Sequence, residues 1–366
     1  MSAMAETETM DDIAVNQLHA GDGDGAGMVF AFNGRQISVS IFPGNGSSTK
    51  DSRHLEPEHR PLQDHLIDLL ARAVVCEDDS EYEELGDEVL GVILNAGKSF
   101  FSQLTPSQGA PTRDHPSLHV LLFPEIIYFR LEAGAGHASI IPTASSEAYT
   151  ALVIDPVLDG TFEEELNIHE HLPRYIPEKI VVTDVFSRGT SFVTAAVLVD
   201  GQDMFCKSRG RPGGLLGTSE GRELECLGKI LTAFPQQDTI RVPKLLGYIH
   251  HQDTKQVLGF LRQWVPGRRL SEMDIATTTA ETRQKWVLQM RESIRDLHKE
   301  GVIWGDGKPS NIIIDDQDDA WLIDFGRGYT EDWVDKELTE TTEGDEQALA
   351  KIVKLLGAGG GTVSSP

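Results

Sequence analysis

Asp306, Asn311 and Asp324, with Lys308 two positions after the first of them, are the residues of this 366-residue chain whose types and spacing could do chemistry. They stand in Asp306-Gly307-Lys308-Pro309-Ser310-Asn311 and Asp324-Phe325-Gly326, the second aspartate eighteen residues after the first. Two carboxylates and an amide in this order can hold a divalent cation on polyphosphate oxygens and steer a hydroxyl toward phosphorus. Positioning and charge neutralisation of that kind are what phosphoryl transfer mainly requires. Lys308 can neutralise charge on the transferring group.

The surrounding apolar pattern says which elements must position these groups. Trp286, Val287, Met290, Ile294 and Leu297 recur at helical spacing, so a core-facing helix is expected to run toward His298 and stop near Gly301. Val302-Ile303-Trp304 then enters a loop carrying Asp306 to Asn311. Residues 312–314 read as a short buried strand, 315–319 as a polar turn, and 320–323 as a second strand that delivers Asp324 at its end. The expectation is a helix, a loop and a hairpin.

Leu297-His298-Lys299-Glu300-Gly301-Val302-Ile303-Trp304-Gly305-Asp306-Gly307-Lys308-Pro309-Ser310-Asn311 resembles the catalytic loop of the protein-kinase-like superfamily, and Leu322-Ile323-Asp324-Phe325-Gly326 its metal-binding motif. The resemblance implies Asp306 as the catalytic aspartate and Asn311 and Asp324 as Mg²⁺ ligands. Upstream, residues 180–186, 195–199 and 204–207 read as three strands, and Lys207 falls where the family's ATP-anchoring lysine belongs. The turn between the first two keeps one glycine, Gly189, where a typical kinase loop has two or three; its backbone could still approach the phosphates. Residues 208–214 read as a connection, and a helix is expected from about Thr218-Ser219. On it Glu223 matches the glutamate that pairs with the strand lysine, with Glu225 as the alternative. Strands at 242–248 and 257–261 lead to a segment resembling the hinge, where Gln263 to Val265 offer backbone groups to an adenine ring. Trp264 reads equally as hinge or as ordinary core aromatic.

Departures from the family count as well. Trp304-Gly305 replaces the usual His-Arg before the catalytic aspartate, which removes an arginine able to sense a phosphorylated activation loop. Only about forty residues follow Asp324, without an Ala-Pro-Glu motif or a further set of apolar helices, and 344–356 reads as one amphipathic capping helix. That shape is similar to the minimal atypical kinases, the RIO-like ones among them.

Residues 1–27 are acidic, rich in small residues and poor in aromatics, a composition that predicts a disordered tail. Within 28–42, Asn33-Gly34 between alternating segments is a hairpin signature. A polar loop at 44–60, helical spacing at 62–75 and 82–104, a Pro-rich break, a return to strand over 118–131 and a linker near 134–146 complete the reading of an N-terminal α+β domain, 28–150, of unknown role. The run Glu163-Glu164-Glu165 reads as a solvated face rather than a metal site. With 32 basic against 58 acidic residues the formal net charge is −26, which argues against nucleic acid and anionic membranes as partners and suits a basic protein. Cys76, Cys206 and Cys226 show neither a disulfide nor a zinc pattern. Without a signal peptide or a twenty-residue apolar span, the expected location is cytoplasm or nucleus.

The expected fold class is α+β: a two-lobed protein-kinase-like fold with shortened C-lobe over 176–356, plus the N-terminal α+β region and a flexible tail at 357–366. The resemblance implies an ATP- and Mg²⁺-dependent phosphotransferase with a protein Ser/Thr hydroxyl as acceptor, since the lysine and proline after Asp306 are the Ser/Thr-kinase form of the loop. A small-molecule kinase and a nucleotide-binding pseudokinase or scaffold are the alternatives.

Overall fold

The computed structural model describes residues 13–33, 35–44, 60–76, 78–104, 115–134, 137–149, 166, 168–189, 192–210, 214–236, 240–326, 328 and 330–357. Two compact units divide the chain, Met1–Ile154 with Gly189–Ser191, and Asp155–Arg188 with Phe192–Pro366.

In the first unit, strands β1 (Ala14–Ala20), β2 (Ala26–Phe32) and β3 (Arg35–Ile41) precede helices α1 (Leu62–Val75), α2 (Asp79–Ala96), α3 (Lys98–Phe101) and α4 (Leu118–Leu122). Strands β4 (Ile126–Gly134) and β5 (His137–Pro142) complete a sheet of order β1-β2-β3-β4-β5. Only β3 and β4 are parallel, so the helices lie on the long crossover that a parallel pair needs. At the β2–β3 turn Phe32 pairs with Arg35, and Asn33 has φ +49°, the left-handed conformation that a two-residue hairpin demands. Leu66 and Leu70 of α1 and Val89 and Ile93 of α2 share one core with Phe30, Ile37, Val39 and Phe129 of the sheet.

Three sequence expectations are corrected here. Within the expected disordered tail of residues 1–27, Ala14–Ala20 is a strand, because it finds an antiparallel partner in β2, with an irregularity between Val15 and Gln17, that composition alone does not reveal. Leu118–Leu122 is helical rather than strand; a five-residue apolar run is too short for periodicity to separate the two. Residues 137–142, expected in a linker, pair along β4 from Gly134↔His137 to Phe129↔Pro142. Residues 163–165 lie outside the described residues.

The second unit holds a six-stranded sheet of order β6-β10-β11-β9-β8-β7, built from β6 (Arg174–Tyr175), β7 (Val181–Arg188), β8 (Phe192–Val199), β9 (Gln202–Arg209), β10 (Leu245–His250) and β11 (Val257–Gln263). Helix α5 (Ser219–Ala233) connects β9 to β10. A three-stranded sheet of β12 (Gly267–Arg269), β13 (Ile312–Asp315) and β14 (Ala320–Leu322) accompanies α6 (Ala280–Lys299) and α7 (Thr342–Leu355).

Helix ends follow from local chemistry. Thr218 caps α5 by accepting from the Gly221 N–H at 3.1 Å, and Thr279 caps α6 by accepting from the Thr282 N–H at 3.2 Å. Helix α6 stops where the spacing predicts, at Gly301 with φ +68°: the Gly301 N–H donates to the His298 carbonyl at 3.1 Å and the Val302 N–H to the Leu297 carbonyl at 3.0 Å. These two bonds satisfy carbonyls that would otherwise be left open and aim the chain toward Asp306. The periodic face of α6, Trp286, Val287, Met290, Ile294 and Leu297, is buried with Trp304, Ile312, Leu322, Phe325 and Ile352 in one core.

Leu297→Ala should therefore cost about 2–5 kcal/mol, whereas Leu288→Ala, on the exposed side of the same helix, should stay within about 0.5 kcal/mol. Chemical denaturation of the full chain measures both, and equal shifts would contradict this packing.

Candidate active site

Strand β9 carries Lys207 between Thr194 of β8 and Phe260 of β11, and α5 runs past it. The Lys207 ammonium lies 2.6 Å from Glu223 Oε2 and 2.9 Å from Asp324 Oδ1. Glu225 is exposed, as expected for a residue two positions along a helix from a buried one. Burial pulls the Lys207 ammonium down, but Glu223 and Asp324 more than offset it, and its pKa lies above the ordinary lysine value. Burial would likewise raise the Asp324 carboxyl; Lys207, with Arg262 in support, holds it below the usual carboxylate range. Asp324 also has φ +62°, a left-handed conformation that a non-glycine residue adopts at a cost of about 1 kcal/mol or more.

The loop ahead of Asp306 is fixed from outside. Asp345, in the first turns of α7 and only 1% exposed, accepts from the Trp304 N–H (Oδ2, 2.8 Å) and the Gly305 N–H (Oδ1, 2.8 Å), and His298 Nε2 lies 2.8 Å from its Oδ2. The Trp304 indole N–H donates to the Ile323 carbonyl at 2.8 Å, and the Ile323 N–H donates to the Asn311 carbonyl at 3.0 Å. Loop and Asp324 strand are thus tied to each other. From α5, Arg222 donates to the carbonyls of Phe325, Gly326 and Ile303. Gly305 has φ +86°, and a side chain there would meet Arg222 at 3.0 Å, which accounts for a glycine at this position.

At the centre of the loop, Asp306 Oδ2 lies 2.6 Å from Lys308 Nζ and accepts from Asn311 Nδ2 at 3.0 Å, while Oδ1 accepts from the Thr330 hydroxyl at 3.0 Å. Lys308 in turn donates to Thr330 Oγ1 at 2.9 Å. The chain passes so close here that a Cβ on Gly328 would sit 2.6 Å from the Asp306 carboxyl carbon. Asp306 is therefore presented to one hydroxyl already, that of Thr330.

A cavity of ≈ 360 Å³, within the usual range for small-molecule sites, is lined by Lys207, Asn311 and Asp324 at its polar side and by Phe186, Phe205, Trp264, Val265 and Ile323 elsewhere. Arg262 lines it too. Phe186 stacks on Trp264 with rings 3° apart in plane and 5.8 Å between centroids. Of the two residues expected at a hinge, Val265 lines the cavity and Gln263 does not; the Gln263 N–H is spent on the Lys244 carbonyl at 2.8 Å. Gly189 follows β7 and is not part of the lining, and the next two residues lie outside the described ones. Glu223, Asp306 and Lys308 sit behind or beside the cavity rather than on its wall. Sequence reasoning missed Arg222, Arg262, Thr330 and Asp345. Arg262 alone carried a local signal, a charged residue ending an otherwise apolar strand; the other three depend on contacts between distant segments.

Residues 230–346 match the family model for the protein kinase domain. Over that stretch the chain is similar to protein kinase domains. The matched stretch includes Asp306, Lys308, Asn311 and Asp324 and begins beyond Lys207 and Glu223. No curated protein matches the chain. No helix among the described residues is long and apolar enough to cross a membrane.

Asp345→Ala would leave two buried main-chain N–H groups without an acceptor. We expect a loss of roughly 2–6 kcal/mol, at about 1–3 kcal/mol per group, seen as a lower melting temperature of the full chain; an unchanged melt would remove Asp345 from this role.

Proposed function

We propose that the protein is an ATP- and Mg²⁺-dependent phosphotransferase, a protein Ser/Thr kinase of the minimal atypical type. In this reading the six-stranded sheet with α5 is the small lobe, and α6, α7 and the three-stranded sheet are a shortened large lobe. The observation that carries the reading is the pairing of Lys207 with Glu223 and Asp324 beside a cavity that Asn311 also lines.

The residues fit the group they would hold. Asp324 keeps 40% of its side chain exposed, and Asn311 uses its amide nitrogen on Asp306, which leaves the amide oxygen for a cation. Mg²⁺ commonly takes one or two protein oxygens and fills its octahedron with water and phosphate. When bound, it neutralises charge on the β- and γ-phosphates. Lys207, kept protonated by its two carboxylates, presents a positive charge to the phosphates. Asp306 orients the acceptor hydroxyl and receives its proton as the new oxygen–phosphorus bond forms and the bond from the γ-phosphorus to the β–γ bridging oxygen breaks, ADP leaving with that oxygen, and Lys308 beside it steadies the negative charge of the transferring group. Val265 offers its main chain, and Trp264 its ring, to the nucleobase. A net charge of −26 favours a basic protein segment as acceptor over nucleic acid or an anionic membrane, and the same proposal locates the protein in cytoplasm or nucleus.

A second reading, nucleotide binding without transfer, is favoured by one observation: both Asp306 oxygens are engaged by the chain's own Lys308, Asn311 and Thr330. Asp306→Asn separates the two. It should lower phosphate transfer by about 100-fold or more while preserving the thermal stabilisation by Mg²⁺-ATP that ligand linkage produces. A wild-type protein that is stabilised by Mg²⁺-ATP yet phosphorylates neither a protein nor a small-molecule acceptor would leave the second reading standing.

A further inference from the structure

A second buried cation adjoins the Lys207 group. Arg262 stands opposite Phe205 across the β9–β11 pair, its side chain 4% exposed, and it lines the cavity. Its guanidinium carbon lies 3.8 Å from the centroid of the Phe205 ring, a cation–π contact that fixes the side chain in place. Nε stands 3.7 Å from Glu223 Oε1, an ion pair too long for a hydrogen bond, and that nitrogen has no hydrogen-bond partner among the described residues. One weak bond, Nη1 to the Gln263 carbonyl at 3.4 Å, draws on the guanidinium's five donors.

Arginine does not shed its charge in a protein, so a buried guanidinium must be balanced by anions. Glu223 is already held by Lys207 at 2.6 Å. Two cations, Lys207 and Arg262, therefore share two carboxylates, Glu223 and Asp324. With Lys207 alone, the cluster of Lys207, Glu223 and Asp324 would carry one net negative charge beside the place where a triphosphate has to sit, and a divalent cation would be needed to reverse the sign. Arg262 removes that deficit from a position that solvent scarcely reaches and salt scarcely screens.

Resting on the nucleotide-site reading above, we propose that Arg262 takes over part of the metal ion's electrostatic task, so that the cavity binds nucleoside triphosphates nearly as well without Mg²⁺ as with it. The state of Glu223 does not weaken this. Burial pushes its carboxyl upward against the pull of Lys207, and a protonated Glu223 would leave the cluster more positive still. The inference concerns binding: Asp324 and Asn311 remain the groups that would hold a cation for transfer.

Titration calorimetry of ATP into the full chain, with Mg²⁺ and separately with EDTA, tests it. For the wild type the two dissociation constants should agree within about 5-fold, a difference of under one kcal/mol on the usual scale. Arg262→Met should weaken binding in EDTA by about 10-fold or more and binding in Mg²⁺ by much less, and Arg262→Lys, which keeps the charge, should recover most of the loss. A wild-type loss in EDTA of about 30-fold or more, or an Arg262→Met variant weakened equally in both conditions, would overturn the proposal. ATP binding in neither condition would instead bring down the nucleotide-site reading itself. Melting curves without nucleotide establish that each variant is folded, and the wild-type comparison decides the matter should Arg262→Met not fold.

Discussion

Two main-chain N–H groups, those of Trp304 and Gly305, are turned inward and satisfied by the carboxylate of Asp345. Buried backbone donors cannot be left open, so the carboxylate dictates the path of the chain immediately before Asp306. The rest of the site depends on that path. Trp304, held by its main chain, spends its indole N–H on the Ile323 carbonyl, and Ile323 precedes Asp324. Asp306 and Asp324 are thus both positioned through one buried carboxylate, that of Asp345.

At Lys207 the constraint is charge. Lys207 is stabilised as an ammonium because two carboxylates outweigh the cost of burying it. Taking away one partner of such a group leaves an uncompensated buried charge, which is far more expensive than never having buried the pair. The sheet and α5 are locked together by this requirement, with Arg262 and Glu223 drawn into the same cluster.

The parts legible in the sequence were those where period and turn chemistry act over a few residues. Helix α6 was readable because Trp286 to Leu297 repeat at helical spacing and Gly301 supplies the left-handed stop. Asn33-Gly34 announced the β2–β3 turn by the same logic. Short or weakly apolar segments failed: Ala14–Ala20 holds a single β-branched residue, Val15, and no Phe, Tyr or Trp, and Leu118–Leu122 spans little more than one helical turn. Within the site, Asp306, Asn311 and Asp324 were readable as a set because one loop and one hairpin carry them, and Lys207 and Glu223 because of the resemblance. Asp345, Arg222 and Thr330 were not. Each acts on a segment with which it shares no local pattern, so only the packed chain brings the partners together.

The remoteness of Asp345 has a consequence for how the molecule comes into being. A chain is synthesised from its N-terminus, and segments close up as their partners emerge. Residues 304 and 305 wait for a carboxylate some forty positions downstream, on the last helix of the described chain. Until that helix docks, the main chain of residues 304 and 305 lacks the acceptor that fixes its path. A nascent or prematurely terminated chain ending before residue 345 would carry the sequence motif without the carboxylate that sets the path of its main chain.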